Sequence, residues 1–256
     1  MFTLFIILLL FLLLLLLLVY ILYYNEEEYE NSLVSLRTRS LEKDGFCVLY
    51  DPLYSKYKKN SCSPSEMLIH DVLGKLPPDY VFINYVYKIN NTSLSTFHRD
   101  VTSSKHIFDT IHTVYTLILY NYHGELLSVC PGSNKTYPFV DSKIVNICGN
   151  PGTAFLFDSD LLHAGRINNC EYRNVVQYKL CHKDDLHKLQ HLHNVNIEKN
   201  EKCTHNLYNE IIRKLSYFFE FPINYFAYPL MLKRENTNSF IGFIQSFISL
   251  SYYNNT

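Results

Sequence analysis

YTLILYNYHGELLSVCPGSNK, residues 115–135, holds two runs of Leu, Ile, Val and Tyr that meet at Gly124 and end in a Pro-Gly-Ser turn. Short runs of this composition between turn signals read as β-strands, here the two arms of a hairpin. Working outward, the same texture recurs in YVFINYVYKI (80–89), VNI (145–147), TAFLFD (153–158) and NVVQYKLC (174–181), with breaks such as CGNPG (148–152). Closely spaced strands of this kind build a sandwich or barrel. GFCVLY (45–50) adds a strand ahead of them. Residues 61–76 read as a helix that Ser65 can cap and that Pro77-Pro78 stops.

Chemistry-bearing residues punctuate these strands. In STFHRDVTS (95–103), His98 and Asp100 stand two apart, so in an extended chain they share a face while Arg99 points the other way. His163 follows the strand 153–158 in FDSDLLHAGR (157–166), 65 positions after His98. Two imidazoles and one carboxylate with open positions suit a non-haem Fe(II) centre. A tetrahedral zinc site is the chemical competitor. Arg173, on YRNVVQYK (172–179), favours iron: a planar guanidinium binds a carboxylate bidentately and keeps its charge. It could hold the far carboxylate of 2-oxoglutarate. Arg166 is a nearer alternative in an Asn-rich loop. A bare His-x-Asp is a weak signal, and a second one occurs at His182-Lys183-Asp184. That one reads as a solvated strand end without a histidine partner, and His112 as an ordinary residue flanking a strand. His187 and His191 have the i, i+4 spacing of zinc ligands but lack the following Glu of a metalloprotease helix; they read as surface or structural residues.

The first residues are of a different kind. Phe2 to Tyr24 carries no charge and is mostly Leu, Ile and Phe. A helix of this length matches the ~30 Å hydrocarbon core of a bilayer. No basic n-region precedes it and no small-residue cleavage site follows, so residues 1–24 are expected to form an uncleaved, single-pass transmembrane anchor. Arg37, Arg39 and Lys43 lean toward a cytoplasmic domain, while the acidic run Glu26–Glu28 leaves the side open. Residues 25–44 then form a juxtamembrane segment, 45–185 the β-domain and 186–256 a helical and aromatic extension. A net charge of −1 provides no field for nucleic acid. Seven cysteines without a CxxC exclude a complete disulfide framework.

With these residues placed, the chain resembles the Fe(II)/2-oxoglutarate-dependent oxygenases, and within them the phytanoyl-CoA dioxygenase-like family. The resemblance lies in LEKDGFCVLYDPL (41–53), FHRD (97–100), the Pro-Gly-Ser turn, GTAFLFDSDLLHAGRINN (152–169) and EYRNVVQYKL (171–180). It implies a mainly β fold with flanking helices, a cupin-like double-stranded β-helix or jelly-roll. It further implies iron on His98, Asp100 and His163, 2-oxoglutarate on Arg173, and dioxygen as co-substrate. The implied reaction is hydroxylation with release of succinate and CO2. Relatives often carry a histidine after the Pro-Gly-Ser turn, where this chain has Asn134. Tyr85, Tyr87 and Tyr115 are candidates to line the pocket, Tyr115 as a cofactor contact beside Arg173. A small or lipid-like substrate is expected. A non-catalytic jelly-roll binder and a membrane scaffold are the rival readings.

Overall fold

The computed structural model describes residues 2–23, 27–55, 63–90, 96–137, 142–165, 173–199 and 207–220. Its strands are β1 (Glu27–Asn31), β2 (Phe46–Tyr50), β3 (Tyr80–Phe82), β4 (Tyr85–Asn90), β5 (Tyr115–Tyr120), β6 (Gly124–Val129), β7 (Ile144–Gly149), β8 (Thr153–Asp158), β9 (His163–Gly165), β10 (Asn174–His182) and β11 (Val195–Lys199). They form two sheets. The larger runs β11-β4-β10-β5-β8-β2, with β3 also on β10; the smaller runs β1-β7-β6-β9. A bridge between His98 and His163 adds the His98 segment beside β9.

Eight of these segments make a jelly-roll. In the larger sheet β4, β10, β5 and β8 are antiparallel neighbours. In the smaller sheet the His98 segment, β9, β6 and β7 are also antiparallel neighbours. The chain passes from sheet to sheet, as a double Greek key requires. Side chains from both sheets meet in one interior cluster, among them Ile118, Tyr120 and Phe155 from the larger sheet and Val129, Val145 and Ile147 from the smaller.

The run YTLILY of β5 is apolar on both faces because both are covered. Ile118 and Tyr120 point into the jelly-roll, while Leu117 and Leu119 lie on the outside of the sheet with Leu68 and Val72 of helix α4. The helices are α1 (Phe2–Tyr23), α2 (Ser32–Thr38), α3 (Leu41–Asp44), α4 (Glu66–Leu73), α5 (Lys105–Phe108) and α6 (Leu207–Phe218). In α4, Ser65 caps as expected, its Oγ accepting the Leu68 N–H at 3.2 Å. Leu68 and Val72, one turn apart, bury the helix on the sheet.

The expected hairpin at Gly124 does not form: β5 pairs with β10 and β8 in the larger sheet, and β6 with β7 and β9 in the smaller. Three segments also differ from the sequence expectation. The acidic stretch EEYEN is strand β1, paired in parallel with β7; backbone pairing at a sheet edge needs no apolar alternation, so composition did not signal it. Val195–Lys199 is strand β11, parallel to β4. DLHKLQHLH folds as short 3-10 turns, Lys183–Lys188 and Gln190–Leu192, and these break the helical register that would pair His187 with His191. His191 instead donates to the Thr102 carbonyl from Nε2 at 2.7 Å.

Helix α1 is uncharged over its 22 residues. Side chains are described from Phe5 to Tyr20, and all of them are exposed. Among the described residues no helix is long and apolar enough to cross a membrane. Tyr20 touches Phe218 of α6, ring centroids 6.2 Å apart. The aromatic tail beyond Glu220 lies outside the described residues.

The turn joining β7 to β8 depends on Gly152, whose φ is +93° and whose Cβ position lies 2.2 Å from the Asp51 carbonyl oxygen. Any side chain there meets both a left-handed backbone and a fixed neighbour. Gly152→Ala should lower stability by about 1–3 kcal/mol, measured as a fall in the denaturant midpoint with an unchanged slope.

Candidate metal centre

Backbone pairing positions the site. His98 donates its N–H to the His163 carbonyl at 2.9 Å, and His163 donates back at 3.0 Å. Residues paired this way in an antiparallel ladder send their side chains to the same face. The two imidazoles lie 4.4 Å apart, centroid to centroid. Asp100, two residues on, is tied by its N–H to the Ser159 carbonyl at 2.8 Å. One ligand atom from each of His98, Asp100 and His163 lies within 4.8 Å of the others. Asp100 Oδ1 is 3.9 Å from His98 Nε2 and 3.8 Å from His163 Nε2.

The protonation pattern follows from the partners. His98 Nδ1 is 2.9 Å from the Thr96 carbonyl, and His163 Nδ1 is 2.9 Å from the Leu161 carbonyl. A carbonyl only accepts, so each Nδ1 carries the proton and each Nε2 keeps its lone pair. Burial holds His98 below the usual histidine range and His163 down at about 4, helped by the facing ring. Burial alone would raise the Asp100 carboxyl. Lys179 and the two imidazoles outweigh it and hold the group well below the usual range.

Lys179 was not singled out from the sequence. Its ammonium, buried inside the jelly-roll, donates to Asp100 Oδ2 at 2.6 Å, Thr116 Oγ1 at 2.7 Å and Ser103 Oγ at 2.8 Å. Thr116 Oγ1 also donates to Asp100 Oδ2 at 2.5 Å. One carboxylate oxygen is therefore held by the protein, while Oδ1 faces the two Nε2 atoms. Burial lowers the Lys179 pKa and Asp100 pulls it back up. The available signal was parity: Val175, Gln177 and Lys179 alternate along β10, and a lysine on the inward rung of an apolar strand needs a buried anion.

Arg173 stands just before β10, on the same alternation. It is buried, and its guanidinium carbon lies 5.9 Å from the centroid of Tyr122, a member of the interior cluster. Tyr115 is placed otherwise. It lies on the outer face of β5, packed against Tyr80 with ring centroids 5.4 Å apart. Its neighbour Thr116 occupies the inward position, because one residue along a strand reverses the face. A cofactor contact from Tyr115 is corrected on that ground. Tyr85 and Tyr87 are buried with Leu189 and Leu192 under the 3-10 turns. Arg166 lies outside the described residues. Asn134 donates from Nδ2 to Asp158 Oδ2 at 2.8 Å.

Arg99, between His98 and Asp100 in sequence, points to the opposite face as the alternation requires. It is buried, pairs with Glu220 at 2.5 Å, and donates to the carbonyls of Ser133 at 2.8 Å and Asp160. The α6 segment braces the back of the ligand-bearing sheet in other ways too. Ser216 Oγ accepts the Phe97 N–H at 2.8 Å, and Arg213 donates to the Gly165 carbonyl at 2.9 Å.

No family model matches the chain, and no curated protein matches it. Solved structures do. AviO1 from Streptomyces viridochromogenes Tue57 matches over 59% of this chain and 95% of its own, with 12% identity and a TM-score of 0.42. HygX from Streptomyces hygroscopicus, a structure with nickel and 2-oxoglutarate bound, matches over 56% and 84%, with 12% identity and a TM-score of 0.42. EvdMO1 matches over 59% of this chain at 14% identity and a TM-score of 0.41, and the match spans half of its length. The jelly-roll order and the clustering of His98, Asp100 and His163 stand on this chain's own geometry.

Removing one partner of a buried ion pair strands the other charge. Glu220→Ala should therefore cost about 3–5 kcal/mol. Chemical denaturation checks this, and Arg99→Met/Glu220→Leu should recover much of the loss.

Proposed function

We propose that the chain is a membrane-anchored non-haem Fe(II)- and 2-oxoglutarate-dependent oxygenase, a hydroxylase acting on a small or lipid-like substrate. One observation carries the reading. Two imidazole Nε2 lone pairs and one carboxylate oxygen converge, while the remaining polar atoms of those three side chains are held by the protein. Such a donor set fits Fe(II), whose two-histidine, one-carboxylate sites keep positions open. When bound, the iron with 2-oxoglutarate and dioxygen supplies the oxidising power for hydroxylation, with release of succinate and CO2.

The chain's own residues would do the rest. His98, Asp100 and His163 would hold the metal, their protonation already set by Thr96, Leu161 and Lys179. Lys179 and Thr116 keep Asp100 Oδ2 engaged and favour one-oxygen ligation by Oδ1. Arg173, buried in the interior, would pair with the distal carboxylate of the keto acid; burial strengthens such a pairing. That arginine supports the oxygenase over a zinc hydrolase. FHRD, the Pro-Gly-Ser turn and EYRNVVQYKL support a place in the phytanoyl-CoA dioxygenase-like family. Asn134, standing where relatives often have histidine, is used here to hold Asp158. The anchor rests on the sequence alone, on the uncharged Leu-, Ile- and Phe-rich run from Phe2 to Tyr24.

The test uses the full chain in detergent with Fe(II) and 2-oxoglutarate. Anaerobic mixing should develop the visible absorption of metal-bound keto acid, and oxygen should release succinate. His98→Ala and His163→Ala should weaken iron binding at least 100-fold. Arg173→Ala should raise the KM for 2-oxoglutarate about 10- to 100-fold with iron binding intact, whereas Tyr115→Phe should change neither by more than about twofold. Absence of the absorption band in the wild-type chain would overturn the reading. For the anchor, deleting residues 2–23 should move the chain from the carbonate-washed membrane pellet to the supernatant; retention in the pellet would refute it.

A further inference from the structure

The second His-x-Asp of the chain is not a bare solvated strand end. His182 sits at the end of β10 on its outward face, paired in register with Tyr80 of β3. His112, from the segment entering β5, stacks on it with ring centroids 3.8 Å apart and planes at 26°. One ligand atom each from His112, His182 and Asp184 falls within 4.8 Å of the others. The expectation that His182 lacks a histidine partner is thereby corrected. The partner precedes it by 70 positions, across the β5–β10 pairing.

We propose that His112, His182 and Asp184 form a second metal site, on the outside of the jelly-roll, for a borderline divalent ion such as Zn2+, Ni2+ or Cu2+. Imidazole nitrogens with one carboxylate select these ions over Mg2+ and Ca2+, which prefer all-oxygen cages.

The surroundings are those of a built site. Asp185 is buried, its side chain 1% exposed, and its carboxylate accepts the backbone N–H groups of Ile111 and His112, each at 2.8 Å. It also lies 3.2 Å from His112 Nδ1. An anion on Nδ1 leaves Nε2 as the ligating atom of His112, and on binding the stacked rings would turn so that both in-plane lone pairs meet one ion; a carboxylate behind a histidine is the usual orienting device at metal centres. His182 Nδ1 lies 3.3 Å from the Asp184 amide nitrogen and 3.3 Å from Asp184 Oδ2. The amide N–H donates to Nδ1, so that ring lone pair faces the Asp184 side, where a metal would replace a long hydrogen bond. The Tyr80 ring meets His182 nearly edge-on, centroids 5.6 Å apart. Lys183, the intervening residue, is engaged with Asp79 at 2.8 Å, which draws its ammonium into a separate pair. The Asp184 side chain is 65% exposed, so an ion has a path from solvent.

An ion here would tie the entry of β5 to the end of β10. Those two strands carry Thr116 and Lys179, the residues that hold Asp100. The outer ion would thus act as a staple on the strands behind the inner site. It does not depend on the oxygenase reading, because none of its ligands belongs to the inner triad.

The full chain in detergent, stripped with chelator, is titrated calorimetrically with Zn2+. Two ions should bind the wild-type chain and one the His98→Ala/His163→Ala variant. In that silenced background, His112→Ala and His182→Ala should each weaken the remaining site at least 10-fold, and Asp185→Asn about 10-fold through loss of ring orientation. Asp184→Asn, at an exposed position, gives the same test without disturbing the core. Cu2+ in the silenced background should show electron-paramagnetic hyperfine coupling to two nitrogens, and to one after His182→Ala. Absence of binding in the silenced background, or an affinity unchanged by both His112→Ala and Asp184→Asn, overturns the proposal.

Discussion

Two backbone hydrogen bonds, exchanged between His98 and His163 at 2.9 and 3.0 Å, connect a lone segment to the edge of the smaller sheet. They do more than extend the ladder. Because paired residues present the same face, they bring two imidazoles 65 positions apart to within 4.4 Å, and the alternation of the strand then delivers Asp100 to the same side. Slipping that pairing by one residue would exchange Arg99 for the ligands and scatter the triad. The jelly-roll order of strands is what makes the pairing available.

Around this pairing the chain spends several buried charges. Asp100 meets Lys179 on the inner face; Arg99 meets Glu220 on the outer. Each charge is matched, and Asp100, Lys179 and Arg99 are further hydrogen-bonded. The two pairs lie on opposite sides of one strand segment and clamp it front and back: Lys179 from the larger sheet, Glu220 from the end of the α6 segment. A flexible carboxylate is converted into one directed oxygen, and two histidines that titrate near neutrality in water are kept neutral with Nε2 open. Preorganisation of this kind lets a site receive a metal with little rearrangement. Tyr20 of α1 touches Phe218 of α6, so the same brace is also where the apolar N-terminal helix meets the domain.

The two His-x-Asp sequences show how little a local motif decides. Both put a histidine and an aspartate two apart, and both gain a second histidine from elsewhere. One faces the jelly-roll interior with carbonyls on each Nδ1 and a lysine on the carboxylate. The other faces outward, with a buried aspartate behind one ring and an exposed carboxylate in front.

The sequence by itself determined the strand texture, the α4 cap at Ser65, the shared face of His98 and Asp100, and the opposite direction of Arg99. These are local properties: composition between turn signals, capping chemistry and the two-residue period of a strand. The uncharged helix at Phe2–Tyr23 was legible for the same reason. Only the tertiary structure decided that β1 and β11 exist, since edge strands are held by backbone groups that every residue carries. It alone showed that Tyr115 faces outward and Thr116 inward, because the register is set by pairing and not by tyrosine or threonine. It alone revealed Lys179 under Asp100, Glu220 behind Arg99 and His112 beside His182. Those partners are 79, 121 and 70 positions apart, and no property of a single strand specifies which distant side chain the closing of two sheets will place against it.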